Sequence, residues 1–314
     1  DGNANKTDIS AKGIKAVGLY SDEAKTTYVS GGDITINGGT LNIDSSDDSL
    51  HCAGTMQILG GDLKLASADD GIHSDTDVII GSESDATNYT SPSVDISYSY
   101  EGVEGVTVTM NSGSVMVYST DDGFNAAGGA DSSGNSNPGG WGQGGWGGGS
   151  SSSSNDYKLT FNGGYTYVNS AGDGLDSNGD MFINGGYIFV SQTGGGNGPL
   201  DCGDNNNSIN YTGGVLVAGG SSDMFETPSS YSFLTSSSLA AGSTVTFTDS
   251  NGTVLATMTF ANSSSKMVMS APENSVTCYT GGTLSGTTYF PSSTSDANRS
   301  VVCGYGGTIS GGTT

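Results

Sequence analysis

The chain repeats itself, and an internal repeat constrains a fold before composition does. Gly38-Gly39 recurs as Gly60-Gly61, Gly163-Gly164, Gly185-Gly186 and Gly213-Gly214, and the steps from Gly38 to Gly60 and from Gly163 to Gly185 are both 22 residues. An acidic signature follows at a similar distance. It reads Asp47-Asp48-Ser49-Leu50-His51, Asp69-Asp70-Gly71-Ile72-His73, Glu101-Gly102-Val103-Glu104, Asp121-Asp122-Gly123-Phe124-Asn125 and Asp173-Gly174-Leu175-Asp176. Weaker copies are Lys12-Gly13-Ile14-Lys15 and Pro199-Leu200-Asp201. Between the signatures apolar residues alternate: Ile34, Ile36, Leu41 and Ile43, then Met56, Ile58, Leu63 and Leu65, then Val106, Val108, Val115 and Val117. Period two means strands. The pattern predicts an all-β chain, a right-handed parallel β-helix of about seven to eight coils with inward residues stacked about 4.8 Å apart. A quasi-one-dimensional core also explains how a chain that is only 33% hydrophobic can fold.

Two stretches break the period. Residues 81–93 lengthen one turn into a loop, and residues 128–156, rich in Gly and Ser around Trp141 and Trp146, read as a flexible insertion. The helix is expected over 1–227. Residues 228–285 are expected to form a small β capping domain with a hairpin turning at Asn251-Gly252. Residues 286–314 read as a Ser/Thr/Gly-rich tail.

Eight Lys plus Arg face 32 Asp plus Glu, a formal charge of −24. This argues against nucleic acid and anionic membrane surfaces and invites cations. No run of 18 apolar residues is present, so no membrane insertion is expected. Stacking the repeat stacks its carboxylates: Asp48, Asp70, Glu101, Asp122 and Asp173 on one row, and Glu104, Asp176 and Asp201, with His51, His73 and Asn125, two or three residues further on. Asp47, Asp69 and Asp121 flank them. Protein cations are too scarce to neutralise such a row, whereas Ca²⁺ takes six to eight oxygens in flexible geometry. The other reading is a solvated acidic edge. His51 and His73 read as a stacked surface pair or a transition-metal pair. Cys52 and Cys202 read as buried thiols; Cys278 and Cys303 are close enough in sequence to pair as a disulfide.

Outward positions change character along the chain. Thr40, Asn42, Asp62 and Lys64 give way to Tyr165 and Tyr167, then Tyr187 and Phe189, with Tyr118 extending the patch. Such an aromatic face suits the apolar side of a pyranose ring, cover by another part of the chain, or contact with another chain.

The blocks ITINGGTLNIDSSDDSLHC, LASADDGIHSDTDVII, VMVYSTDDGFNAAGG and NGGYTYVNSAGDGLDSNGDMFINGGYIFV, the Gly/Trp-rich insertion and the closing CYTGGTLSG resemble a family of extracellular proteins. These are calcium-containing right-handed parallel β-helix proteins that bind cellulose or polygalacturonate, related in fold to pectate-type polysaccharide lyases. The chain resembles the C-terminal part of such a domain, over roughly residues 12–286. The resemblance implies calcium in the acidic turns at 47–48, 69–70, 121–122, 173 and 176, a polysaccharide ligand, and an extracellular or cell-surface location. Lys12, His51 and His73 stand where the pattern would place carboxylates.

A lyase of this type needs a Lys or Arg base beside calcium. Lys6, Lys12, Lys15, Lys25, Lys64, Lys158, Lys266 and Arg299 all lie outside the strongest acidic turns. The expected function is therefore non-catalytic polysaccharide binding. The alternative is a structural subunit assembling with itself, end to end, into a filament.

Overall fold

The computed structural model describes residues 11–21, 28–127, 157–203, 207–290 and 302–314; the 128–156 insertion lies outside them. Among the described residues the structure is all-β, with one 3₁₀ turn, Glu83–Asp85, in the expected 81–93 loop. No helix there is long and apolar enough to cross a membrane.

The acidic signature forms short strands. Ile14–Ala16, Leu50–Cys52, Ile72–Ser74, Val103–Glu104, Phe124–Ala126 and Leu175–Ser177 make one six-stranded parallel sheet. Its register is the one the repeat implies: Ile14 pairs with Leu50, Leu50 with Ile72, Ile72 with Val103, Val103 with Phe124, and Phe124 with Leu175. Glycine follows the acid in most copies because the adjacent strand comes too close for a side chain; Ser49 is the exception, its hydroxyl donating to the Ala66 carbonyl. A Cβ on Gly71 would lie 2.7 Å from the Gly102 carbonyl oxygen and from the Ile96 side chain. The amide of Gly71 instead donates to the Glu101 carbonyl.

The alternating segments form a 14-stranded sheet whose order steps through the repeats in both directions from Met56–Ser67. On one side lie Asp77–Ile80, Thr107–Met110, Lys158–Phe161, Asp180–Ile183 and Ile209–Tyr211; on the other lie Ser93–Ser99, Ser114–Ser119, Tyr165–Ser170, Tyr187–Gln192 and Val215–Gly220. All these pairings are parallel. At the Gly-Gly corners the second glycine takes a positive φ, +75° at Gly164 and +85° at Gly186, a conformation that costs other residues about 1 kcal/mol or more. The alternating apolar residues meet in one core, from Leu50 and Met56 to Leu200 and Leu216.

The C-terminal region departs from the parallel pattern. Val215–Gly220 pairs antiparallel with Lys266–Ser270, which pairs with Phe233–Thr235. A separate five-stranded sheet runs Thr277–Thr280, Thr244–Thr248, Val254–Thr259, Cys303–Tyr305, Thr288–Tyr289. The expected hairpin is its centre: Thr244–Thr248 pairs with Val254–Thr259, and Gly252 sits at φ +82°. The segment read as a tail is not loose in its described part, since 288–289, 303–305 and 308–310 all join sheets. The Cys278–Cys303 disulfide is ruled out by this topology. The two residues lie on strands separated by two others, about 14 Å away at ordinary strand spacing, and both thiols are free.

This sheet has a second apolar core of its own, and the predicted aromatic face is inside it. Tyr165, Tyr167 and Phe189 are 1%, 0% and 0% exposed. Phe290 stacks on Tyr165 with centroids 4.2 Å apart, and Tyr305 stacks on Tyr187 at 4.7 Å. Val245, Phe247, Met258 and Phe260 complete the cover. These rings are thus not a sugar platform, because burial against apolar strands satisfies the same surface. Tyr187 and Tyr118 keep partial exposure.

Candidate functional site

The acidic row forms as read, but it divides into two unlike halves. In the first half the protein supplies its own partners, one ammonium and two imidazoles. The Lys12 Nζ lies 3.0 Å from Asp47 Oδ1 and also contacts Asp48 Oδ2. His51 Nδ1 is 2.7 Å from Asp48 Oδ2. His73 Nδ1 is 2.9 Å from Asp70 Oδ2 and 2.7 Å from Glu104 Oε2. The imidazoles stack at 4.8 Å with 4° between planes. They are 5% and 2% exposed, so the pair is stacked but not on the surface. Both Nε2 atoms face Asp75 Oδ1, at 3.7 and 3.4 Å.

The expectation that protein cations cannot neutralise the row is corrected here. Lys12 reaches it because Ile14 pairs with Leu50, which sets Lys12 in the row directly beside Asp48. Burial opposes charging His73, but its hydrogen bonds to Asp70, Asp75 and Glu104 outweigh burial and hold its pKa well above the usual histidine value. Burial likewise opposes charging Asp48, yet the His51 hydrogen bond and the His73 and Lys12 charges hold its pKa below the ordinary carboxylate value. The triads Asp48–His51–His73, Asp70–His73–Glu104 and Asp47–Asp48–Asp69 have ligand atoms within 4.8 Å of each other. In two of them an imidazole is itself among the three ligands, and in the third Asp47 and Asp48 are already paired with Lys12.

The second half differs in that its carboxylates face one another without a Lys or His among the described residues. Asp70, at the boundary, already shares their state, since burial and the Glu104 and Asp48 charges hold its carboxyl well above the usual range against its His73 hydrogen bond. Glu101, Asp122, Asp173 and Asp176 are carboxylates stacked on carboxylates. Burial, then the Glu104 and Asp70 charges, push the Glu101 carboxyl well up, and burial, then Glu101 and Asp176, do the same for Asp122. Burial raises Asp173 to about 7, although the Gly198 amide donates to it. Burial and the Asp173 and Asp201 charges raise Asp176 to about 8. In the same row Asn125, flanked by Glu104 and Asp176, is 7% exposed. Its Nδ2 donates to Glu101 Oε2 at 3.0 Å. Its buried Oδ1 accepts no hydrogen bond. The Asn125 amide oxygen is thus a buried acceptor without a donor, beside carboxylates.

Three features escaped the sequence reading. Asn111, Asn162, Asn184 and Thr212 form a side-chain ladder: Asn162 Nδ2 donates to Asn111 Oδ1 at 2.9 Å, Asn184 Nδ2 to Asn162 Oδ1 at 2.9 Å, and Thr212 Oγ1 to Asn184 Oδ1 at 2.7 Å. The signal was visible as Asn preceding Gly-Gly at 162 and 184. Asp75 lies outside the repeated acidic signature. Tyr98 is 47% exposed, at a point where its strand breaks period two.

Residues 3–71 match the model of a family described as carbohydrate-binding domain-containing protein. No curated protein and no solved structure matches the chain. The match supports a carbohydrate-binding role. It spans the first two long strands and the first two acidic turns.

Proposed function

We propose that the protein is an extracellular or cell-surface, non-catalytic carbohydrate-binding protein, a right-handed parallel β-helix of about seven to eight coils stabilised by calcium, with cellulose or an acidic pectin-like polymer as ligand. The match of residues 3–71 to a carbohydrate-binding family carries the binding reading. The β-helix reading is supported by parallel registers that return at every repeat to the same neighbours. Calcium is supported by Asn125 Oδ1, buried without a donor beside Glu101 and Asp176. Glu101, Asp122, Asn125 and Asp176 would hold the ion, with Asp121, Asp173 and Asp201 completing the negative field. Its chemistry there is charge neutralisation. Asp47, Asp48, Asp69, Asp70 and Glu104 are better matched to Lys12, His51 and His73. The non-catalytic reading is supported by Lys12, the only Lys or Arg of the acidic row among the described residues, being held between Asp47 and Asp48 and so not poised as a base.

Depletion from solution by insoluble cellulose and immobilised polygalacturonate, with calcium and with chelator, tests the function. Retention on either polymer that weakens on chelation is expected. No retention on either in calcium overturns it.

A further inference from the structure

The burial of Tyr165, Tyr167 and Phe189 leaves a different aromatic position on the same sheet. Outward rows cross the long strands in register. One runs Asn42, Lys64, Asp95, Met116, Tyr167; the next runs Asp44, Ala66, Tyr98, with Tyr118 and Asn169 continuing it. Tyr98 belongs to this row only because its strand carries a bulge. Leu65 pairs with Ile96 but Ala66 pairs with Tyr98, and on the other side Val117 pairs with Ile96 but Ser119 with Ser99. The extra residue, Ser97, resets the alternation, so Tyr98 faces outward and Ser99 inward. Bulges that re-aim a side chain are concentrated at functional edges.

The place is a corner. Tyr98 is 47% exposed, and its neighbour Tyr118 is half-buried with its ring 5.9 Å from Tyr167 at the margin of the covered core. Beyond Tyr118 the C-terminal region closes down: Asn262 Nδ2 donates to Asn169 Oδ1 at 2.6 Å and to the Ser191 carbonyl at 3.0 Å. On the open side lie exposed Asn42 and Lys64 and half-buried Asp95. Two tyrosines at the foot of a wall, beside amide, ammonium and carboxylate groups, offer stacking and hydrogen bonding to one ring face and its hydroxyls. Of the two strands paired with that of Tyr98, Met56–Ser67 lies within the segment that matches the carbohydrate-binding family, as does Ile34–Ser45 one strand further out; Tyr98 and Tyr118 lie beyond its end. The floor carries Asp44, Asp62 and Asp95 against Lys64, on a chain of net charge −24, so a polyanion is disfavoured.

The geometry points to the Tyr98–Tyr118 ledge, bordered by Asn42, Lys64 and Asp95, as the binding surface for a neutral polysaccharide. This rests on the carbohydrate-binding reading above.

The test is depletion by insoluble cellulose, with affinity electrophoresis in a soluble neutral glucan and in polygalacturonate. It compares the wild type with Tyr98→Ala, Tyr98→Phe and the Tyr98→Ala/Tyr118→Ala double variant, all checked by circular dichroism. Tyr98 is exposed, so its single variant tests the site even where the double variant fails to fold. Loss of stacking predicts about tenfold weaker retention on neutral glucan for Tyr98→Ala, and retention near wild type for Tyr98→Phe. Wild-type binding to neutral glucan that Tyr98→Ala leaves unchanged overturns the site and spares the carbohydrate reading. Preference for polygalacturonate overturns the neutral ligand. Absence of binding to every polymer overturns the parent reading and this one together.

Discussion

At the residue scale the row of carboxylates is a problem in charge that the chain solves in two ways. Its first half contains Lys12, His51 and His73, and His73 is the most enclosed of them. A histidine whose folded pKa lies above its unfolded value stabilises the fold fully below about pH 6.5, and that contribution is lost as pH rises through the folded value. His73→Gln is therefore expected to destabilise the protein by about 3–5 kcal/mol at pH 5.5, since it leaves Asp70 and Glu104 without their partner. The deficit should shrink as pH is raised through the folded value. Urea denaturation of both proteins across that range checks it, and a deficit independent of pH would mean a neutral imidazole. The acidic row itself was legible, because its members recur with the repeat. The pairing of Lys12 with it was not. Lys12 is 35 residues from Asp47 in sequence, and only strand pairing at Ile14–Leu50 brings them together.

Strands and sheets were legible where apolar alternation and Gly-Gly corners agree, and so was the hairpin. The fate of the tyrosine face was not, because docking of one sheet on another leaves no periodic mark. Phe290 shows why: it lies outside any repeat yet touches Tyr89, Tyr165, Tyr187, Phe189 and Tyr305. Phe290→Ala is expected to cost about 3–5 kcal/mol and to speed amide exchange in Tyr165–Ser170 and Tyr187–Gln192. Hydrogen exchange that is unchanged in those strands would show that the cover does not depend on this ring. The asparagine ladder makes a smaller claim. Asn162→Ala removes hydrogen bonds to both Asn111 and Asn184, and a loss of about 1–3 kcal/mol is expected in thermal unfolding.

For the whole molecule the decisive quantity is the state of the second half of the acidic row. If calcium binds there, adding it at 100 times its Kd raises stability by about 2.7 kcal/mol, and chelation removes the same amount. Asn125→Leu is expected to reduce that increment, read as a smaller calcium-dependent rise in Tm. An increment equal to the wild type's would place the ion elsewhere. End-to-end assembly gains no support from the fold: Val215–Gly220, the last parallel strand on its side, is already paired with Lys266–Ser270. The parallel registers have a different consequence, for how such a molecule can change over generations. Asp48 and Asp70 are 22 residues apart, and Asp122 and Asp173 are 51 apart, yet each pair occupies adjacent places in one row. Strand pairing therefore sets position and corner length does not. A lineage can lengthen a corner, acquiring new surface there, while every residue of the interior keeps its neighbours.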